Sequence, residues 1–169
     1  LTGAEKLTEL PQPGGLRGQL RPYQRYGYSW LAFLRRWGLG ACLADDMGLG
    51  KTIETLTLLL HDKEQGTANA PVLLICPTSV VGNWRREAER FAPELSVWIH
   101  QGNERLQGED FAPEAARHDL VITSYALARR DAATFQGVHW RGVVLDEAQN
   151  IKNPAAQQTQ AIRRLPASF

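Results

Sequence analysis

The chain has little of what would mark a stapled, metal-bound or membrane-spanning protein. Its 169 residues include only two cysteines, Cys42 and Cys76, and a single methionine. Their spacing is not that of a zinc site, and two thiols do not make a disulfide framework. Both lie in apolar runs that read as buried strands, so they are expected as reduced core thiols. The four histidines, His61, His100, His118 and His139, are scattered and suggest no metal cluster. No apolar run is long enough to span a bilayer and no leader pattern is visible, which predicts a soluble, intracellular protein with no membrane partner. An excess of one charge is also missing. The formal net charge is +1, so any nucleic-acid surface must be a local patch. Repeats and low-complexity tracts are absent too. What remains is ordinary globular material, 43% hydrophobic and 22% charged, long enough for one domain with a sizeable core.

The chain is organised around Asp45-Asp46-Met47-Gly48-Leu49-Gly50-Lys51-Thr52. An apolar run, Leu39 to Ala44, leads in as a strand, and a helical pattern, Lys51 to Leu60, leads out. Glycines let backbone N–H groups turn inward toward phosphate oxygens, and the helix start adds unpaired N–H donors. Lys51 can place an ammonium on the terminal phosphates, and the Thr52 hydroxyl can ligate Mg²⁺. The generic phosphate cradle has glycine where this chain has Asp45, so the fit is partial.

Leu1 to Gly18 reads as a linker or N-terminal arm, ahead of a unit covering residues 19–169. Pro22 opens a helix in which Tyr23, Tyr26, Trp30, Leu34 and Trp37 recur at helical spacing and are expected to face the core. Gly38 and Gly40 end it. Gln24 lies off that stripe. Its amide could meet an adenine edge, but alone it reads better as a solvated glutamine. Leu56, Leu59 and Leu60 give the helix after the cradle its apolar face, and His61 to Pro71 reads as a polar loop. Val72 to Cys76 is a buried parallel strand followed by Pro77-Thr78-Ser79, with Ser79 as the expected cap of the next helix. Val81, Trp84, Ala88 and Phe91 form the seam of that helix. Arg85, Arg86 and Arg90 lie off it, either as a charged face or as phosphate contacts.

Leu95 to Ile99 is a further strand, Gln101 to Phe111 a surface loop and Glu114 to His118 a brief helix. Asp119 to Ile122 is a strand ending in Thr123-Ser124-Tyr125. A helix over Ala126 to Gln136, interrupted near Asp131, follows. Gly142 to Leu145 is a buried strand ending in Asp146-Glu147, and Asn153-Pro154 starts a last helix to about Arg164. Strands alternating with helices predict an α/β fold with a mostly parallel sheet and helices on both faces. An acidic pair at a strand end is the usual companion of a phosphate cradle. Asp146 can hold Mg²⁺ through water, and Glu147 can orient and deprotonate an attacking water.

Leu20-Arg21-Pro22-Tyr23-Gln24, Leu43 to Thr52, Ile75 to Trp84, Asp119 to Tyr125 and Asp146 to Asn153 occur in an order that resembles a known family. The chain is similar to the first RecA-like lobe of SWI/SNF-type DNA translocases, within the superfamily II helicase-like ATPases. Asp-Met-Gly-Leu-Gly-Lys-Thr is typical of that family. Asp146 to Asn153 is similar to its second acidic motif, although a histidine is commoner where Gln149 stands. The resemblance implies that Gln24 reads adenine, reversing the reading of that residue alone. It implies that Asp46, Met47, Gly48, Leu49, Gly50, Lys51 and Thr52 hold ATP, with Thr52 and Asp146 at Mg²⁺. It makes Lys51 and Glu147 catalytic, with Gln149 coupling the site to a second RecA-like lobe. Pro77, Thr78, Ser79, Thr123 and Ser124 would lie along the phosphates of one strand of duplex DNA. Trp84 reads as core, and Lys152 is family-typical without an assigned partner. The setting implied is cytoplasm, nucleoid or nucleus.

Measured against that family, the lobe is expected to be incomplete at its C-terminus. The second lobe, with its arginine for the γ-phosphate, and a strand just after Phe169 are both outside the sequence. In related folds that strand lies between the cradle strand and the Asp-Glu strand, so a rearranged sheet or a partner's strand is expected. These 169 residues are expected to bind ATP weakly and hydrolyse it poorly. The alternatives are a superfamily II lobe acting on RNA or in a restriction system, and a nucleotide-gated binding module that does not hydrolyse.

Overall fold

The computed structural model describes residues 7–43 and 50–169. Asp45, Asp46, Met47, Gly48 and Leu49, the first part of the expected cradle, lie outside the described residues. Strands β1 (Val72–Cys76), β2 (Val97–Ile99), β3 (Leu120–Ser124) and β4 (Gly142–Leu145) form one sheet, ordered β2-β3-β1-β4. All its pairings are parallel, with Ile75 opposite both Thr123 and Leu145. Central β1 is buried along its whole length, as its unbroken apolar run requires. Its side chains alternate between two cores. Val72, Leu74 and Cys76 join one apolar cluster, and Leu73 and Ile75 join the other.

Helices α1 (Pro22–Arg36), α2 (Lys51–Glu64) and α3 (Val81–Phe91) feed the first cluster through Tyr28, Leu56, Leu59, Leu60, Trp84 and Ala88. Helices α4 (Phe111–Ala115), α5 (Tyr125–Arg130), α6 (Ala132–Gln136) and α7 (Gln157–Arg163) feed the second through Phe111, Ala128, Phe135 and Ile162. The expected parallel sheet with helices on both faces is therefore present, including the break at Asp131. No helix among the described residues is long and apolar enough to cross a membrane.

The direction of α2 matters most for function. Near its C-terminus, Lys63 Nζ meets Asp119 Oδ2 at 2.7 Å, just ahead of β3. Asp62 pairs with Arg141, just ahead of β4. These residues mark the amino edge of the sheet. The 14-residue helix is about 21 Å long, at about 1.5 Å per residue, so Lys51 stands at the carboxyl edge.

Several expectations give way. Residues 39–43 are not a strand, and Leu39 and Cys42 are exposed, so Cys42 is no core thiol. A strand needs a neighbour to share its hydrogen bonds. Beyond β4 the free side is taken by the short terminal segment: Trp140 bridges Ala167 in parallel, and Val143 N donates to Phe169 O at 2.9 Å. The segment occupies the sheet position expected for a strand after Phe169, and residues 39–43 stay outside the ladder.

The aromatic stripe of α1 does not face the core. Tyr23, Tyr26 and Trp37 are 40%, 58% and 57% exposed, whereas Tyr28 is fully buried. Polar anchors decide this rotation. Tyr28 Oη donates to Pro11 O at 3.2 Å and meets His61 Nδ1 at 3.0 Å, and Arg35 pairs with buried Asp62. Gly27 lets α2 come close, because a Cβ there would lie 2.8 Å from the Glu54 carboxylate. The described part of the N-terminal arm and the residues just after it, 7–20, are fastened to the rest. Leu16 and Leu20 are core, Gly15 N donates to Glu64 Oε1 at 2.8 Å, and Arg17 N to Phe91 O at 2.8 Å.

Three local details also differ. Ser79 does not cap α3, because Thr78–Val80 forms a 3-10 turn and the helix starts at Val81 without a side-chain cap. The helix expected at Glu114 starts at Phe111, which is wholly buried. Asn153 caps a turn instead of a helix, accepting from Ala155 N at 3.0 Å, and α7 begins later.

Candidate nucleotide site at the carboxyl edge

Gly50 closes the cradle with φ 93° and ψ 31°, a left-handed geometry that suits glycine. Its carbonyl accepts from Glu54 N at 3.1 Å, so the first turn of α2 forms directly on it. The Gln24 amide lies against Gly50, filling the space that a Cβ would need. Gln24 is held there by the start of α1, where its Oε1 accepts from Arg21 N at 3.0 Å. Residues 24 and 50 are thus neighbours, and Lys51 and Thr52 follow at a helix N-terminus with its unpaired N–H groups.

The acidic pair stands at the end of β4. Asp146 N donates to Ile75 O at 2.9 Å, extending the ladder by one step. Trp84 Nε1 donates to Asp146 Oδ2 at 2.8 Å, and Tyr125 Oη donates to the Asp146 carbonyl at 2.8 Å. Glu147 has φ 55°, the only positive φ among the described non-glycine residues. The Gln149 amide donates to the Glu147 carboxylate, and Asn150 Nδ2 donates to the Glu147 carbonyl at 2.8 Å. Burial, and then the nearby Asp146 charge, push the Cys76 thiol up to about 12. The same causes raise the Tyr125 phenol, so both groups stay protonated beside the carboxylate.

Pro77, Thr78 and Ser79 follow β1 on the same edge, with Thr78 and Ser79 exposed. Thr123 and Ser124 are buried. The Thr123 hydroxyl donates to His100 O at 3.2 Å, and Ser124 Oγ caps α5 by accepting from Leu127 N at 3.3 Å. Their hydroxyls already have work inside the protein, leaving Thr78 and Ser79 as the accessible pair. Arg85 and Glu89 form an exposed pair at 2.9 Å, so that part of α3 is a charged face.

The structure therefore brings Gln24 to Gly50, and Gln149 to Glu147, and sets both groups on one edge through separate elements. The donor set suits a magnesium nucleotide, because a hydroxyl and carboxylates are hard oxygen ligands. Sequence reasoning missed Trp84 and Tyr125 as partners of Asp146. The signal was present, because a buried indole N–H or phenol usually has a partner. It also missed a buried cluster at the end of β2, where Arg105 grips Asp131 at 2.6 and 2.9 Å and His100 meets Asp131 at 3.1 Å.

Comparison with known proteins gives the family. A family model described as SNF2-related domain matches residues 23–168. YwqA of Bacillus subtilis (strain 168) is 53% identical over 165 residues, covering 98% of this chain and 18% of YwqA. ISWI chromatin-remodeling complex ATPase CHR11 of Arabidopsis thaliana is 34% identical over 171 residues, covering 100% of this chain and 16% of its own length. The Sulfolobus solfataricus SWI2/SNF2 ATPase core in complex with dsDNA superposes with a TM-score of 0.84 at 38% identity, covering 96% of this chain and 33% of that one. The chain thus spans under a fifth of these curated relatives, and matches them almost end to end over its own length. It belongs to the SNF2-related domain family.

Proposed function

We propose that this chain is the ATP-binding lobe of a motor that moves on double-stranded DNA, acting in cytoplasm, nucleoid or nucleus. The observation that carries the reading is the shared edge: the first turn of α2 and the Asp146-Glu147 pair stand at the same end of one parallel sheet. Ligands of open α/β sheets bind outside the carboxyl ends of the strands. A relative whose name includes ATPase, and a structural neighbour solved with duplex DNA, support the same reading.

In this reading Gln24 offers its amide to the adenine edge, donor and acceptor together. Asp46, Met47, Gly48, Leu49 and Gly50 belong to the segment that receives the phosphate oxygens. Lys51 neutralises charge at the terminal phosphates. Thr52 and Asp146 would hold Mg²⁺, which when bound neutralises phosphate charge as the bond to the leaving group breaks. Glu147 aims a water and takes its proton. The Gln149 amide holds the Glu147 carboxylate at rest, and its release by a second RecA-like lobe would free the base. Pro77, Thr78 and Ser79 meet one DNA strand through its phosphates, with buried Thr123 and Ser124 setting the end of β3 beside them. Such contacts position the duplex without reading its sequence.

The test is ATP hydrolysis by the full-length protein, measured without nucleic acid, with duplex DNA and with RNA. Stimulation by duplex DNA is expected. Stimulation by RNA alone would replace the DNA reading with a superfamily II RNA motor. ATP binding without turnover under all three conditions would leave a nucleotide-gated binding module.

A further inference from the structure

Asp146 is gripped at two points, by two residues that the reading above gives no task. Trp84 holds the side-chain carboxylate through Oδ2, and Tyr125 holds the backbone carbonyl, each at 2.8 Å. Both are 5% exposed. Trp84 lies in the first half of α3, directly after the exposed turn at Thr78 and Ser79. Tyr125 opens α5, directly after Thr123 and Ser124. The exposed turn placed along DNA and the buried β3 end beside it thus each lead to one side chain on the same acidic residue.

We propose that Trp84 and Tyr125 are positioning residues that link contact with DNA at the β1 and β3 ends to the placement of Asp146 and Glu147. The proposal rests on the ATPase reading. An indole N–H can only donate, so anchoring Oδ2 sets the rotation of the carboxylate and the direction of its other oxygen. The carbonyl held by Tyr125 belongs to the peptide that joins Asp146 to Glu147. Glu147 sits in left-handed backbone geometry, which a non-glycine residue keeps only when its surroundings fix it. Removing the phenol hydroxyl lets that peptide turn and lets Glu147 relax, which moves the group that aims the water. A shift of the 3-10 turn at Thr78 is passed through the continuous backbone of α3 to the indole and so to the carboxylate.

The experiment uses full-length protein carrying Trp84→Phe or Tyr125→Phe. Each is measured for the Mg²⁺ concentration at half-maximal binding of a fluorescent ATP analogue, for duplex-DNA affinity, and for the ratio of DNA-stimulated to DNA-free hydrolysis. Trp84→Phe is expected to raise the Mg²⁺ midpoint about tenfold, as loss of an outer hydrogen bond to a metal-holding group does. Tyr125→Phe is expected to lower the stimulation ratio about tenfold, within the usual range of coupling between sites. Duplex affinity should stay close to wild type in both.

If folded variants keep both the Mg²⁺ midpoint and the stimulation ratio, the proposal is overturned. It is equally overturned if thermal stability, DNA affinity and hydrolysis all fall together while the ratio holds, because that is the mark of packing alone. Tyr125→Phe removes a single oxygen and decides the matter by itself should Trp84→Phe not fold. If wild-type protein binds the magnesium nucleotide but ignores duplex DNA, the DNA reading has failed. The Mg²⁺ midpoint of Trp84→Phe then still decides whether the indole positions Asp146.

Discussion

The Gln24 amide lies against the α carbon of Gly50, in the space that any side chain at position 50 would need. One residue proposed for the base and one proposed for the phosphates therefore touch, although α1 and α2 carry them separately.

Gly50→Ala is expected to impair the site on two counts, a clash with the Gln24 amide and a left-handed φ of 93°. Such geometry costs a non-glycine residue on the order of 1–2 kcal/mol. Urea unfolding and binding of an ATP analogue by the full-length protein would measure it. Adding Gln24→Ala to the variant should recover the part due to the clash and not the part due to φ. Equal recovery of both would show that the backbone at position 50 tolerates a side chain.

Glu147→Gln should abolish turnover while sparing ATP binding, because the amide fills the same space but cannot take a proton. Loss of a general base costs roughly 10² to 10⁴ in rate. Single-turnover hydrolysis and equilibrium binding separate the two effects. Lys51→Ala should instead weaken nucleotide binding itself. Turnover that survives Glu147→Gln would remove Glu147 from its role.

Asp62 is 1% exposed and sits between Arg35 and Arg141, whose guanidiniums lie 5.4 and 5.9 Å from the Phe169 ring centre. Asp62→Ala would leave both arginines without their carboxylate. The expected loss is about 3 kcal/mol or more in urea unfolding, as for other broken buried pairs. Arg85→Ala, which breaks an exposed pair with Glu89, should cost less than about 1 kcal/mol. Similar losses for both would mean that the Asp62 pairing contributes little.

The cluster of His100, Asp131 and Arg105 predicts acid lability. Burial holds the His100 imidazole below the ordinary histidine value of 6.5, against the opposing pull of Asp131. The unfolded chain then takes up the proton first. This stability is present above pH 6.5 and is lost as pH falls toward the folded value. The Arg105 hydrogen bond chiefly holds Asp131 below its ordinary 3.8, so that contribution is present above 3.8 and fades at lower pH. Urea unfolding across a pH series should show a first decline below 6.5 that His100→Phe removes. The same decline in the variant would assign it to other groups.

Much of this was open to reading because local chemistry and global fold agree. Val72–Cys76 and Gly142–Leu145 are short apolar runs with turn residues after them, and each is a strand over the span expected. Asp131 interrupts its helix because its carboxylate is committed to Arg105 and His100, which pattern alone could not name. Counting aromatics misplaced α1, since hydropathy does not register that Tyr28 finds Pro11 and His61, or that Gly27 admits Glu54. Leu39 to Ala44 looks like a strand in isolation, but residues 39–43 are not one, because pairing is a property of neighbours. At the site, residue types and order were visible. The double hold on Asp146 was not, because it joins positions 84, 125 and 146 through contacts that no spacing rule contains.

The Asp62 knot and the opposite edge of the sheet differ in how they can change over generations. At the knot, two helices, the start of β4 and the Phe169 ring depend on one carboxylate, so any single replacement must be answered by others at once. The other rim is assembled from segments that follow separate strands, joined where Trp84 and Tyr125 meet Asp146. Replacements that leave those joints alone can accumulate there one segment at a time, while the opposite side stays gridlocked.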